Sequence, residues 1–356
     1  MKWRIKKDNG KYRLSGGAIC IVAVLSVLCL ALIAFGTYYA ILLSISSDDV
    51  PIVIRTPSEE ITELPTLDPH LEILKEEPDD ITEDIDDPIP GDAQNLPIYR
   101  QEPIEEDITN ILIIGTDARA NETSRGRSDT MMLFSYDVKN NKASLISFMR
   151  DTWVPIEGYG YNRLNATYSW GGVGLTINTI NSLFDLDIQD YVIVGFEGMV
   201  GLVDKLGGIE LSITDVEANY YNKHFGWGIE KGINKLDGER TLIHARNRKS
   251  NGGDFERTRR QRDIMLAVFK KIMSARDAQT ISEFVDYAMK NVKTNMQPGK
   301  IFSLALAILN NPDLNINQGR VPADDTWKYA NKDGKSVLAI DFKKIKVYLH
   351  SGLYMD

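Results

Sequence analysis

The chain has 356 residues, 43% of them hydrophobic and 26% charged, which is enough apolar material for a sizeable core and rules out a wholly disordered protein. Its formal charge of −9 is unevenly spread, at +5 over residues 1–18, −17 over 46–107 and +3 over 108–356, so no strongly basic domain argues for nucleic acid. Both cysteines, Cys20 and Cys29, lie near the N-terminus, which excludes disulfides, thiolate metal sites and cysteine nucleophiles from the rest of the chain.

Lys2, Arg4, Lys6, Lys7, Lys11 and Arg13 open the chain, and no charged residue follows until Asp48. The apolar run 17–45 is longer than the ~20 residues that cross a bilayer as a helix. Basic residues before it and acidic residues after it place segment 1–16 in the cytoplasm and the rest outside. The run exceeds a signal-peptide core and no small-x-small cleavage site closes it, so an uncleaved anchor is expected. Residues 46–107 hold nine of the thirteen prolines and twenty acidic residues against three basic ones. That composition predicts a disordered stalk without EF-hand spacing, dispensable for the folding of a chain starting near Glu105.

Residues 108–356 are expected to form the external domain. "NILIIG" (110–115), "TMMLFSYDV" (130–138), "ASLISFM" (143–149), "YVIVGF" (191–196) and "IELSI" (209–213) read as strands. Helices are expected over 174–185, 197–206, 236–247, 254–275, 279–291 and 298–310. Interleaved strands and helices predict a three-layer α/β/α domain, and the turn "DVKNNKAS" makes its central sheet mixed.

Several chemistries lack their signatures. The four histidines form no His-x-x-x-His pair, Gly-x-Ser-x-Gly and a Walker Gly-Lys-Ser/Thr are absent, and "GGVG" (171–174) is no dinucleotide fingerprint. What remains is aspartate and arginine at strand ends. Asp117 in "IIGTDAR" and Asp129 in "GRSDT" reach one edge of the sheet if their strands are neighbours, where Mg²⁺ suits a carboxylate pair. Either aspartate alone is as well explained by an Asx turn or a helix cap. Arg127 lies beside Asp129, Arg150 ends the third strand, Arg163 sits in the loop "YNRLNATY", Arg246 and Arg248 stand in "IHARNRKSNGGDF" and Arg257 in "DFERTRRQRD". Several guanidinium forks around one site would match phosphate oxygens. On the helix from Asp254, Arg257 and Gln261 share a face that Ile264, Val268 and Ile272 continue, while Arg259 and Arg262 read as surface ion-pairing residues. Trp153, Tyr159, Tyr161, Tyr168 and Trp170 offer flat faces to sugar rings or pack the core. The apolar stretch "IFSLALAILN" (301–310) lines a lipid groove or packs the core.

"NILIIGTDAR", "GRSDTMM", "SFMRDTWVPIEGYG", "RLNATYSWGG", "YVIVGFEGMVGLVDKLGGIEL", "LDGERTLIHARNR" and "GDFERTRRQRDIML" resemble, in order and spacing, the LytR-CpsA-Psr family over about residues 108–275. The resemblance implies a membrane-anchored phosphotransferase moving a glycopolymer, of teichoic acid or capsular polysaccharide type, from undecaprenyl diphosphate to peptidoglycan. It makes Asp117 and Asp129 ligands of Mg²⁺, and Arg127, Arg150, Arg163, Arg246, Arg248, Arg257 and Gln261 the diphosphate-binding set. Asp117, Asp129, Arg150 and Arg257 would carry the catalysis. Met149 stands where the family usually has proline, and Arg163 where it often has lysine. Asp151 and Asp254 are both candidates for the general base. Three other readings share these residues: a polyprenyl-diphosphate phosphatase, a membrane-bound transcriptional attenuator, for which some eighteen cytoplasmic residues are too few for a helix-turn-helix, and a non-catalytic wall-binding module.

Overall fold

The computed structural model describes residues 6–8, 11–13, 50–53, 65–75, 94–116, 128–250, 252–274, 278–309, 311 and 314–354. The expected membrane helix 17–45, Asp117 and Arg127 lie outside the described residues. Among the described residues no helix is long and apolar enough to cross a membrane.

The strands are β1 Lys6–Asp8, β2 Lys11–Arg13, β3 Ile52–Val53, β4 Glu72–Ile73, β5 Ile98–Tyr99, β6 Ile108–Thr116, β7 Ser128–Asp137, β8 Lys142–Phe148, β9 Trp153–Ile156 and β10 Gly160–Arg163. Helix α1 Ala166–Phe184, β11 Asp190–Gly195, α2 Phe196–Lys205, β12 Ile209–Ile213, α3 Asp215–Phe225, β13 Gly232–Leu236, α4 Gly238–Arg246 and α5 Gly253–Ser274 follow. The chain continues through α6 Ala278–Asn291, β14 Val292–Thr294, α7 Pro298–Leu309, β15 Ile316–Val321, β16 Trp327–Lys332, β17 Lys335–Ile340 and α8 Phe342–Leu353.

Six strands form the central sheet in the order β14-β11-β6-β7-β8-β15. The β6/β7, β7/β8 and β11/β14 pairs are antiparallel, while β11/β6 and β8/β15 are parallel, so the sheet is mixed. Its strands alternate side chains between two apolar faces. Leu112, Ile114, Met131, Leu133, Ile146 and Phe148 meet Ile177, Ile180 and Phe184 of α1 and Ile345 and Leu349 of α8 on one face. Ile111, Ile113, Met132, Phe134 and Leu145 meet Met265, Leu266 and Phe269 of α5 and Ile301, Leu304, Ala307 and Ile308 of α7 on the other. The apolar stretch of α7 therefore packs the core through these four residues. The pairing directions bring the C-terminal ends of β6, β8, β11 and β15 and the start of β7 to one edge.

Two sequence expectations change. "IELSI" is a strand, but it pairs with β13 in a separate antiparallel ribbon over a second core of Val203, Leu211, Tyr221 and Ile264. Helix α3 was not expected because its sequence lacks a clean apolar period; a capping box, Thr214 with Glu217, starts it instead.

The segment expected as a disordered stalk is docked wherever it is described. Strand β5 pairs with β3, and β4 with β16. Ile98 is fully buried, the Tyr99 N–H donates to Asn178 Oδ1 at 2.8 Å, and Trp153 Nε1 donates to Asp68 Oδ2 at 3.0 Å. The "GGVG" of α1 is the seat of this segment: Leu96 N–H donates to Gly171 O at 3.0 Å, and a Cβ at Gly174 would stand 1.8 Å from Leu96 O. Composition misled for the described stretches because a few anchors, Asp68, Leu96 and Ile98, fasten them although the average of the segment is acidic and proline-rich. A chain starting at Glu105 loses these anchors, and burying a side chain such as Ile98 alone is worth ~2–3 kcal/mol. Its melting temperature is expected about 5–10 °C below that of a chain starting at Val50, and equal melting temperatures would show that the docked segment contributes nothing.

Candidate functional site

The site is built where strand ends converge. Gly115 pairs with Thr130 and Thr116 with Ser128, so the register skips Asp129, which sits in a β-bulge at the start of β7. A bulge re-aims the unpaired residue, and the Asp129 carboxylate meets a guanidinium: Arg150 Nη1 donates to its Oδ1 at 3.1 Å. Gly115 permits the pairing, since a Cβ there would come within 2.9 Å of Thr130 Cβ. Asp117 directly follows Thr116 in the chain, but it and Arg127 lie outside the described residues.

Arg150 leaves the end of β8, and Arg163 ends β10. The first turn of α5 contributes Asp254 and Arg257, and Arg248 comes from the loop before it. Arg150, Arg163 and Arg257 are 5%, 6% and 3% exposed, far below what charged side chains tolerate without partners. Besides Asp129, their partners are two largely buried carboxylates. Asp254 Oδ1 lies 2.7 Å from Arg257 Nη2, 3.5 Å from Arg150 Nε and 3.8 Å from Arg248 Nε. Asp151 takes Arg150 Nε at 3.4 Å and Arg163 Nη1 at 3.6 Å. Burial raises the Asp151 carboxyl above its ordinary range; Arg150 opposes this, the Asp254 charge adds to it, and Arg163 and Arg257 lower it. Burial likewise lowers Arg257, against the pull of Asp254.

The cluster is close in distance but incomplete in hydrogen bonding. Both carboxylate oxygens of Asp254, Asp151 Oδ1 and Arg257 Nε are enclosed and make no aligned hydrogen bond among the described residues. The 2.7 Å contact of Asp254 is thus an ion pair of poor alignment. Enclosed donors and acceptors left this way mark a place that a ligand or ion completes.

Two residues expected at the site stand at its margin. The Arg246 guanidinium lies over the Phe196 ring at 4.6 Å, at the C-terminal end of β11, and the residue is exposed. Gln261 Nε2 donates to Ala245 O at 3.4 Å, one turn beyond Arg257. Arg259 is the surface ion-pairing residue expected, with Glu256 and Asp263, but Arg262 is not. It is buried, and its Nη1 donates to Ser147 Oγ at 3.0 Å, tying α5 to β8. Of the aromatics, Trp153, Tyr168 and Trp170 are buried, Tyr159 packs on Trp170, and Tyr161 is half-buried.

Sequence reading missed the support beneath the arginines. Arg260 and Glu217 are each 1% exposed and joined by a short Nε–Oε1 bond. Arg260 also donates to Asn247 O at 2.7 Å and to Ser250 Oγ at 3.1 Å, clamping the loop that carries Arg248. Asn247 Nδ2 donates to the Tyr221 hydroxyl at 2.9 Å, and that hydroxyl lies 2.8 Å from His244 Nδ1, so the tyrosine donates to the imidazole. Burial pushes Tyr221 up to about 12 and His244 down to about 4, which keeps both neutral at pH 7. The capping box that starts α3 was the available signal, because its glutamate is the one that holds Arg260.

Fold and site together define a class: a mixed three-layer α/β/α domain carrying a buried arginine–aspartate cluster at one sheet edge. The LytR_cpsA_psr family is matched over residues 80–350, and the chain belongs to this family. It is 31% identical over 253 residues, 69% of this chain and 81% of the relative, to the polyisoprenyl-teichoic acid–peptidoglycan teichoic acid transferase TagU of Bacillus cereus (strain AH820). Among solved structures, B. subtilis TagV is 26% identical with a TM-score of 0.57, covering 70% of this chain and 98% of that one. TagT bound to LI-WTA is 25% identical with a TM-score of 0.57, covering 70% and 91%.

Proposed function

We propose that this protein transfers an anionic glycopolymer, of teichoic acid or capsular polysaccharide type, from a polyprenyl-diphosphate carrier to peptidoglycan. The observation that carries this reading is the buried cluster itself, whose Arg150, Arg163 and Arg257 surround enclosed, unsatisfied polar atoms. Several guanidiniums around one spot suit a diphosphate better than a carboxylate or a neutral sugar. Likeness to TagU, named for moving teichoic acid from a polyisoprenyl carrier to peptidoglycan, and to TagT bound to LI-WTA supplies the class of donor and acceptor. The apolar run 17–45 with its basic flank supports an anchored chain whose domain faces outward, beside its lipid-linked donor.

In the reaction, an acceptor hydroxyl oxygen bonds to the phosphorus that carries the polymer, the bond from that phosphorus to the lipid-side phosphate oxygen breaks, and lipid phosphate leaves. Arg150, Arg248 and Arg257 hold the phosphate oxygens and offset the charge that builds on the leaving group. The hydroxyl proton passes to Asp151. Its raised carboxyl makes it a better proton acceptor than an ordinary aspartate, whereas Asp254 is engaged in holding three guanidiniums. Support for Mg²⁺ is the presentation of Asp129 on a bulge beside Thr116, which Asp117 directly follows, because carboxylate oxygens are the ligands this ion prefers. Asp117 and Asp129 would hold the ion, which when bound offsets phosphate charge.

Two experiments test this reading. If Asp151 accepts the proton, its carboxyl must be ionised, so the transfer rate falls as pH drops through a value above the ordinary aspartate range. Asp151→Asn should abolish that acid limb and most of the rate, and an unchanged pH profile in the variant would remove Asp151 from this role. Asp117→Asn and Asp129→Asn should each remove most of the magnesium dependence of transfer, and the double variant should cost little more than either, because ligands of one ion act as a unit. Additive losses with an unaltered magnesium titration would rule out a shared ion.

A further inference from the structure

A second pocket, of about 370 Å³, lies off the arginine cluster and is lined by Asp68, Trp153, Tyr161, Asn162, Lys332 and Lys335 among others. Three fixed pieces form it. The docked segment 65–75 is pinned from both sides: Asp68 accepts from Trp153 Nε1 at 3.0 Å and from its own His70 N–H at 2.9 Å, and the Tyr161 hydroxyl donates to Thr66 O at 2.7 Å. The β16–β17 turn places Asp333 and Gly334 at φ 52° and 82°, the left-handed pair of a tight two-residue hairpin, so Lys332 and Lys335 face each other across it. The β9–β10 hairpin supplies the aromatic wall.

That hairpin also ties the pocket to the cluster. Trp153 pairs with Arg163 and Pro155 with Tyr161, and opposed residues of an antiparallel pair share a face. Tyr161 therefore stands on the same face as Arg163, whose guanidinium is 3.6 Å from Asp151. Trp153 follows Asp151 by two residues, about 7 Å of extended chain. The volume falls within the range of small-ligand sites, ~300–1,000 Å³.

The chemistry of the lining selects the occupant. Asp68 and Asp333 offset Lys332 and Lys335, and Lys332 Nζ lies 3.7 Å from Asp333 Oδ2, so the pocket offers no excess positive charge to a polyanion. It offers instead the ring of Tyr161 and hydrogen-bonding groups suited to hydroxyls. Each Asp68 oxygen already accepts one bond and keeps a lone pair for another. Asn162 uses its oxygen on Arg163 N–H at 2.7 Å, which leaves its amide hydrogens to donate. We propose that this pocket holds an uncharged sugar ring of the glycan strand that accepts the polymer, on the same hairpin that carries Arg163 into the cluster. The donor polymer, being anionic, stays on the arginine side. This inference rests on the transferase reading above.

The test uses the full-length chain in detergent micelles and a tetrasaccharide of N-acetylglucosamine as probe, with binding followed by saturation-transfer NMR and titration. Tyr161→Ala should weaken the sugar about tenfold, Tyr161→Phe should stay within about threefold, and Asp68→Asn should weaken it about fivefold, with melting temperatures confirming folding. In transfer assays with glycan strands, Tyr161→Ala and Asp68→Asn should raise the acceptor KM by the same factors and leave kcat and polyprenyl-diphosphate affinity unchanged. If wild type binds the tetrasaccharide and Tyr161→Ala does not, yet no polymer is transferred, the sugar pocket stands and the transferase reading falls. If transfer proceeds with an unchanged acceptor KM in both variants, or the tetrasaccharide binds both as it binds wild type, the pocket is overturned and the transferase reading survives.

Discussion

The site turns on one carboxylate oxygen. Asp254 Oδ1 lies within 3.8 Å of guanidinium nitrogens from Arg150, Arg248 and Arg257, two of which are buried. Guanidiniums brought this close repel one another, and taking them out of water costs several kcal/mol each unless opposite charge lies nearby. Asp254, with Asp151 and Asp129, supplies that charge. The carboxylates offset enough of it to let the arginines gather, while both oxygens of Asp254 and Oδ1 of Asp151 are enclosed without an aligned hydrogen bond among the described residues. Such a cluster presents preorganised guanidinium donors to an incoming anion, while its enclosed carboxylate oxygens are acceptors that a proton donor or a cation completes.

The fold brings these groups together from distant parts of the chain. The direction of β8 carries Arg150 to the sheet edge, the bulge at Asp129 turns a carboxylate toward it, and the first turn of α5 sets Asp254 and Arg257 opposite. Beneath the loop with Arg248, the Arg260–Glu217 pair is satisfied by hydrogen bonds to Asn247, Ser250 and Thr214, in contrast to the open cluster above it. One turn of helix α5 thus carries an arginine that holds the scaffold beside an arginine aimed into the site. The docked segment 94–99 braces α1 from the far side through Gly171 and Gly174.

Much of this was legible in the sequence, and the exceptions have physical reasons. The strands 108–116, 128–137 and 142–148 show as apolar runs because both faces of the sheet are covered, and the Asp-Arg motifs lie at their ends. The bulge at Asp129 was not legible, since register depends on which strand is the neighbour. Arg260 reads like Arg259, its neighbour on a charged helix, and only the partner Glu217, 43 residues away, separates a buried clamp from a surface charge. The described stretches 50–53, 65–75 and 94–107 of the acidic segment are docked where its composition predicted disorder, because averages over sixty residues hide single anchors. Asp68 in particular sits in a run that repels itself, yet the buried indole of Trp153 gives it a partner.

The most direct test of a built diphosphate site is whether Arg257 acts through its shape or only through its charge. Arg257 is 3% exposed and lies against Asp254, so its planar fork can meet two phosphate oxygens at once, which a lysine ammonium cannot. Affinity for a polyprenyl diphosphate should be measured for wild type, Arg257→Lys and Arg257→Ala, with circular dichroism to confirm folding. Both variants are expected to lose affinity by about tenfold or more, the lysine nearly as much as the alanine. A lysine variant that binds like wild type would show that the residue supplies charge alone, and that the cluster is not shaped for a diphosphate.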